Sequence, residues 1–473
     1  MSNMSNRKLH TNLNRRQLLK YGICGGLSAT LSSSLWLSGC DSSKVKKKPN
    51  IILISVDTLR PDFLGCYGYK RDVSPNVDSF AAECLLFENC LAQAPSTAAS
   101  CASFLSGFLP HETKVRNNGP PVPPDVPMIA KILKQDGYKT YGVVGNWILR
   151  KRIGFAQGFD LYNDKMDQRE LVRKDHPEKI AENATSDAIA FLKQHKQGNF
   201  FMWIHYQDPH GPYTPKPPYD KMFPVKGKKP LNLKFNSTND GLKGIPLYQQ
   251  IAEYTDYYYY LSQYDGEIRY FDEHFGRLVK TLKELGMYED SLIMFTSDHG
   301  EAIGEHNYFF VHGHNLDHCL LHVPLLIRYR GLAPGKRNEF VQLLDIVPTI
   351  LEQAGIKKTH RYRGRNLLVR YPDPPVIFSE VQPSGTTFSG ASVSVNGLKL
   401  LTYGEQPLLF DTNKDPAEEN NLTADAANRI EIANMSQKLV QMMQQDLLGI
   451  KAARTYHLTP EERQKLRSLG YLD

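Results

Sequence analysis

The chain is poor in several things, and each shortage removes a class of function. Its 473 residues hold 3 tryptophans and 7 cysteines, and the cysteines follow no regular spacing. Setting aside Cys24 and Cys40 near the start leaves Cys66, Cys84, Cys90, Cys101 and Cys319. An odd, irregular set is neither a disulfide framework nor a zinc pattern, although one or two bridges remain open. No apolar run is long enough for a permanent bilayer helix: the longest, residues 21–36, has 16 residues. The first 39 residues contain no acidic residue but five basic ones, Arg7, Lys8, Arg15, Arg16 and Lys20, and residues 40–48 add a net +3 from four lysines and Asp41. These account for the formal +7 of the chain and leave residues 49–473 at −1. The body of the protein therefore has no excess positive charge with which to bind nucleic acid.

A basic start followed by a short apolar run is a targeting pattern. Asn14-Arg15-Arg16-Gln17-Leu18-Leu19-Lys20 resembles a twin-arginine export signal, and Leu37-Ser38-Gly39-Cys40 resembles a bacterial lipobox. Residues 1–39 are thus expected to be a lipoprotein signal peptide, with Cys40 lipidated and residues 40–48 a basic tether able to lie on anionic headgroups. Asp41 after that cysteine resembles an inner-membrane retention signal. The expected location is the periplasmic face of the inner membrane, with the outer membrane as the other possibility. A plain hydrophobic anchor is the simpler alternative.

The chain from residue 49 onward has the pattern of a folded domain. Residues 50–56, NIILISV, form a continuous apolar run, the pattern of a strand buried on both faces of a largely parallel sheet. Similar runs lie at 140–144, 200–205, 292–296 and 324–328, with helical patterns at 75–83, 128–136, 181–195, 264–285 and 345–354. Alternation of this kind predicts an α/β layered fold whose ligands bind at the carboxyl ends of strands. Two strands end in acidic residues there: the first runs into Asp57, and the run at 292–296 leads to Ser297-Asp298-His299-Gly300-Glu301. A lone Asp at a strand end is usually a helix cap. The pair, joined by His299, offers hard oxygens and an imidazole, which suits Mn²⁺, Zn²⁺, Mg²⁺ or Ca²⁺ and not a thiolate site.

These motifs carry a resemblance to the sulfatase family of the alkaline phosphatase superfamily. NIILISVDTLRPDFLGCYGY at 50–69, Ser74-Pro75-Asn76-Val77-Asp78, FTSDHGEAIGE at 295–305, HVPLLIR at 322–328, Asp345-Ile346-Val347-Pro348-Thr349 and Leu409-Phe410-Asp411 with Asp415-Pro416 keep the family's order. The resemblance covers about 49–425, and Leu469-Gly470-Tyr471 is similar to the family's end. It implies a central mixed sheet sandwiched by helices over residues 49–372. It also implies a smaller C-terminal α+β subdomain over 373–473, with strands near 391–394, 398–403 and 408–411 and a helix near 429–445.

Two departures from the family pattern matter. Most sulfatases carry a Cys or Ser that becomes formylglycine; counting back ten residues from Gly107 puts Thr97 there, within Pro95-Ser96-Thr97-Ala98-Ala99-Ser100-Cys101. Thr cannot yield the aldehyde, and Cys101 is out of register, so the resemblance implies a metal-bound hydroxyl nucleophile instead. Such a nucleophile favours phosphate or phosphonate esters over sulfate esters. Thr97 can also be a helix cap, or the relic of a dead site. The second departure is at the metal: Asp57 is followed by Thr58 where calcium-binding members have a second Asp, and Asp298 by His299 where they often have Asn. The implied set Asp57, Thr97, Asp298 and His299 holds one divalent ion, with Mn²⁺ or Zn²⁺ favoured by the imidazole.

The resemblance also ranks the other candidates. His210 matches a histidine that contacts the transferred group or the leaving oxygen. His312, with His314 as alternate, stands near the family's head-group lysine and is able to neutralise the anion or protonate the leaving oxygen. His111, Arg116 and Asn118 resemble substrate-side positions. His205 reads as a satisfied core histidine, His306 as a loop residue at the rim, Arg60 and Asp62 as a supporting or surface pair, Tyr257 to Tyr260 as packing before the long helix, and 213–243 as an insertion over the cleft. The activity expected is metal-dependent hydrolysis of an anionic ester, and glycan- and lipid-linked esters both fall within that class. A phospho-group transferase and an inactive anion-binding protein are the alternatives; oligomeric state is not legible.

Overall fold

The computed structural model describes residues 48–452 apart from 167, 170–176, 196, 226–227, 384–388 and 405, together with 459, 460 and 464. The expected signal segment, Cys40, most of the tether and the final Leu469-Gly470-Tyr471 lie outside the described residues. Among those described, no helix is long and apolar enough to cross a membrane.

The apolar run at Asn50–Val56 is the central strand of an eight-stranded sheet. In spatial order the strands are Gly335–Gln342, Leu85–Leu91, His322–Arg328, Ser291–Ser297, Asn50–Val56, Phe200–Tyr206, Lys139–Val144 and Leu161–Asn163. All run parallel except His322–Arg328, which is antiparallel to both its neighbours. The sheet is therefore mixed, as expected. Because side chains alternate across a strand, Ile51 and Leu53 feed one core and Ile52, Ile54 and Val56 the other. Helices Thr97–Ser106, Ile129–Gln135 and Ile346–Gln353 cover the first face, and Pro75–Ala81, Ala181–Gln194 and Tyr257–Glu284 the second. Two buried faces are why these strands read as unbroken apolar runs.

A second sheet of four antiparallel strands, Val376–Val381, Gly390–Val395, Leu398–Thr402 and Pro407–Asp411, packs against the helix Arg429–Gln444 through Met435 and Leu439. Its first strand is pinned beside the main sheet, where Glu380 N donates to Gln93 O at 3.0 Å and Ser379 Oγ to Ala92 O at 2.7 Å. The described residues from 48 onward form one compact unit.

Some elements differ from the expectation drawn from sequence. The long helix starts at Tyr257, not near 264, because Asp256 accepts a hydrogen bond from Tyr258 N at 3.3 Å and caps it. Tyr257 to Tyr260 are thus its first turn. The strand Leu85–Leu91 is hidden by Glu88 and Asn89, and Gly335–Gln342 by its charged outer half, since an edge strand need not be apolar throughout. All five cysteines described are free.

Candidate active site

The first strand, its neighbour Ser291–Ser297 and Phe200–Tyr206 all end on the same edge of the sheet. Asp57 comes directly after the first strand and Asp298 after the second, so both carboxylates stand side by side at strand ends, fully buried. Ser297 holds the turn: its hydroxyl donates to Val56 O at 2.7 Å and accepts from Leu59 N at 3.1 Å. Gly300 is required by close approach, since a Cβ there would lie 1.9 Å from Cys319 O. Thr58 adopts φ 56, a left-handed conformation rare outside glycine, and its buried hydroxyl has no partner among the described residues.

Proton accounting at His299 shows what the site wants. Its Nδ1–H donates to Gly300 O at 2.9 Å, so Nε2 is the atom that faces the site, and against burial the neighbouring Asp298 and Asp57 raise the imidazole. That atom lies 3.3 Å from Thr97 Oγ1, 3.6 Å from Asp298 Oδ2 and 3.8 Å from Asp57 Oδ1. Both carboxylate oxygens are buried and lack hydrogen-bond partners among the described residues. Two buried carboxylate oxygens around one imidazole nitrogen call for positive charge among them, which either a proton on Nε2 or a metal ion supplies. The ligand atoms of Asp57, Asp298 and His299 all lie within 4.8 Å of one another, so these residues fit a divalent ion. Burial and neighbouring Asp57 push the Asp298 carboxyl up, whereas at Asp57 the histidines 210, 205 and 299 outweigh burial and hold it well below the carboxylate range. A second converging set, Cys101, His205 and Asp298, shares Asp298. Burial, with Asp298 and Asp57 nearby, keeps the Cys101 thiol protonated, which makes it a poor ligand.

Thr97 opens the buried helix Thr97–Ser106. Asn118 accepts from Ala98 N at 2.8 Å, and Ser100 donates to Asp298 O at 2.6 Å, so the helix start is tied both to the 116–119 loop and to the loop after Ser291–Ser297. Gly107 ends the helix in the left-handed conformation, φ 81.

His299, His312 and His210 form a row, with ring centroids 4.6 Å and 5.0 Å apart. Burial drives the His210 imidazole down to about 4, against the pull of Asp57, and burial with His299 takes His312 well below its usual value. The Nδ1–H of His210 donates to Gly211 O at 2.7 Å, and that of His312 to Glu301 Oε1 at 2.9 Å. His314 is half-buried and close enough for its charge to act on His312.

His111 and Arg116 face the C-terminal sheet. Buried Glu380 accepts from His111 N at 2.7 Å, His111 Nδ1 at 2.8 Å and Arg116 Nε at 3.0 Å. Together they line a 300 Å³ cavity with Phe378. Arg60 is buried between Asp62, Glu305 and Glu301 O, at 2.7 to 2.9 Å, and so pins the loop after the first strand to residues 301–305. His306 bonds Asp317 at 3.1 Å and Ala417 O at 2.9 Å, away from this row.

The structure adds residues that sequence reasoning missed. Asn146 donates to Asp57 Oδ2 at 2.6 Å; it lies two residues past the strand Lys139–Val144, on the same carboxyl edge. His205, a core histidine by its sequence, is indeed buried and bonded, but to the site: Trp203 Nε1 donates to Ser55 Oγ, Ser55 pairs with His205 Nδ1 at 2.8 Å, and His205 Nε2 reaches Asp57 Oδ2 at 3.3 Å. Glu301 is fixed by Tyr213 OH at 3.0 Å; burial, opposed by His210, raises its carboxyl to about 7.

Comparison with known proteins agrees with this geometry. The family model described as Sulfatase matches residues 49–356. The chain belongs to the sulfatase family. With it come the alkaline phosphatase superfamily fold and ester-hydrolase chemistry. An N-acetylglucosamine-6-O-sulfatase from Bacteroides thetaiotaomicron is 25% identical over 87% of this chain and 89% of its own. The phosphonate monoester hydrolase of Agrobacterium radiobacter superposes with a TM-score of 0.69 at 21% identity, covering 85% of this chain and 96% of that one. A chain solved in complex with its substrate, D-glucosamine-2-N,6-O-disulfate, gives 0.72 at 22% identity, covering 86% and 100%.

Proposed function

We propose that this sulfatase-family member hydrolyses an anionic phosphate, phosphonate or sulfate ester with the Thr97 hydroxyl as nucleophile. The observation that carries this reading is the convergence of Thr97 Oγ1, His299 Nε2 and the two orphaned carboxylate oxygens at the start of a buried helix. A divalent cation held by Asp57, Asp298, His299 and Thr97, with Mn²⁺ or Zn²⁺ best matched to the imidazole, would lower the pKa of the hydroxyl and neutralise the ester's anionic head.

The rest is the work of the chain. Asn146 and His205 hold Asp57 in place; Ser100 and Asn118 hold Thr97. Thr97 Oγ, its proton released to solvent, attacks phosphorus or sulfur in line, the bond to the leaving oxygen breaks, and water later cleaves the Thr97 ester. His210 and His312 are neutral before substrate arrives. Each donates its Nδ1 proton to the protein, and the charge of a bound anion favours protonation of the ring. Protonated His210, or else His314, gives a proton to the leaving oxygen, while His312 orients the head. His111 and Arg116, held by Glu380, support the loop that carries Asn118. Among relatives, the phosphonate monoester hydrolase and the glycan sulfatase bracket the choice of ester, and a glycan- or lipid-linked substrate suits both families of alcohol.

The test is a panel of aryl phosphate, phosphonate and sulfate esters on metal-loaded wild type and Thr97→Ala. The reading expects the variant to lose about a thousandfold or more on the best substrate. Equal rates for the two proteins would end it, and product that depends on an added acceptor alcohol would replace hydrolysis by transfer.

Export by residues 1–39 and lipid anchoring through Cys40 at the periplasmic face are likewise proposed. They are supported by the two motifs in order. Fatty-acid labelling that survives Cys40→Ser would overturn the anchor.

A further inference from the structure

The turn that carries His312 and His314 is held at both ends. At its start His312 is fixed through Glu301, and at Gly313, φ 83, a Cβ would stand 3.8 Å from Pro95 O and 4.0 Å from Ser96 Cβ. The turn therefore lies against the two residues ahead of Thr97. At its other end the hold comes from the C-terminal sheet. Leu316 N donates to Tyr403 OH at 2.6 Å, and Leu316 O accepts from Lys399 Nζ. Lys399 also donates to Glu418 Oε1 at 2.6 Å, and the second oxygen of that carboxylate accepts from His318 N at 2.7 Å. The Leu316 side chain is fully buried and packs with Leu321 and Val381.

A stability role alone does not account for this clamp. Lys399 and Glu418 are 1% and 3% exposed. A buried ion pair stabilises little beyond an apolar pair of the same volume, because lost hydration offsets the attraction, whereas the hydrogen-bond geometry it imposes is strict. Glu418 is also left-handed, φ 56, a strained backbone for a residue with a Cβ. Lys399 stands on Leu398–Thr402, which is paired with a strand on either side, so the cation has a rigid support and the turn takes its position from it. Of the three histidines near the ester, His210 and His312 are buried and His314 is half-buried. The departing alcohol needs a way to solvent. His314 borders that way while standing close enough for its charge to act on His312.

We propose that Lys399 and Glu418 are positioning residues of the ester site: from the C-terminal subdomain they fix the His312–His314 turn beside Thr97 and so hold His314 where it gives its proton to the leaving oxygen. The C-terminal subdomain is then part of the working site. This deepens the hydrolase reading, rests on it for the reacting ester, and selects His314 as the proton donor.

The test compares kcat/KM of the metal-loaded protein on a 4-nitrophenyl ester and the matching phenyl ester, in whichever of the phosphate, phosphonate or sulfate series turns over best. Nitrophenolate leaves without a proton and phenolate needs one, so a misplaced donor is felt by the second ester. In Lys399→Met/Glu418→Gln, which leaves no bare charge buried, the nitrophenyl-to-phenyl ratio should rise about tenfold to a hundredfold. His314→Ala should raise the ratio to a similar extent, and adding it to the double variant should raise it no further. Tyr403→Phe, which removes the bond to Leu316 N, should raise the ratio about threefold or more and decides the matter where the double variant does not fold. Lys414→Met, which removes an exposed lysine of the same subdomain, should leave the ratio as it is. Equal losses on both esters, an unchanged ratio, or effects of His314→Ala and the double variant that simply multiply would overturn the proposal. If wild type hydrolyses no ester, the Thr97 reading fails by itself. The clamp is then judged by the ring signals of His314 in NMR spectra, which should move in the double variant while those of the remote His195 stay; unmoved His314 signals overturn it.

Discussion

Replacing Glu380 by Gln tests how the segment that follows the helix Thr97–Ser106 is anchored. Glu380 is 3% exposed and takes hydrogen bonds from His111 and Arg116, whose side chains are 15% and 36% exposed. Losing one partner of a buried pair costs about 3–5 kcal/mol, but Arg116 turns to water when released, so about 2–3 kcal/mol is the reasonable expectation. The pH dependence is more diagnostic than the size. At Glu380 burial works upward, yet His111 and Arg116 win and depress the carboxyl. Its contribution is therefore full above the ordinary carboxylate value of about 4.3 and is lost as pH falls through the lower folded value. At His111 burial works downward, and Glu380 wins and raises the imidazole. That contribution is full below about 6.5 and is lost as pH rises through the folded value. The difference in stability between wild type and Glu380→Gln should thus be largest from about pH 4.5 to 6.5 and shrink on both sides. Urea unfolding at a series of pH values reads it directly. Two parallel curves would refute the reasoning, because the pair would then contribute nothing through its charges.

The site sets three other outcomes. Asn146→Ala removes the 2.6 Å donor from Asp57 and should weaken metal binding about 10–100-fold in a titration monitored by calorimetry, an unchanged affinity contradicting the role. Gly300→Ala forces a Cβ against Cys319 O and should cost about 2–3 kcal/mol in denaturant unfolding; full stability would mean that the loop yields freely. Chelation should lower the thermal midpoint of wild type more than that of Asp298→Asn, since the orphaned oxygens repel without a cation.

The centre of the fold was legible because the central strands are buried on both faces and their sequence shows nothing but that burial. Asp57 and the Asp298-His299 pair were legible for the same reason, as polar residues breaking an apolar run at its carboxyl end. The strands Leu85–Leu91 and Gly335–Gln342 were not, since polar residues in one and an exposed half in the other erase the run. The role of His205 was not legible because periodicity reports burial and not partners. The available signal was Ser55, its register partner and the one polar residue inside the first strand after Asn50. Asn146 obeyed the strand-end rule that found Asp57 but stood two residues further on. Glu301 lay in a motif already singled out, and only the fold shows that it faces His312.

The account rests on Thr97 forming a bond to the transferred group. Quenching the metal-loaded enzyme in acid during turnover of an aryl phosphate, and reading the peptide that spans Thr97 by mass spectrometry, tests this most directly. The account predicts one added phosphoryl group on Thr97, absent in Thr97→Ala. Turnover with Thr97 unmodified, or a formylglycine or a phosphorylated residue elsewhere in the site, would contradict it.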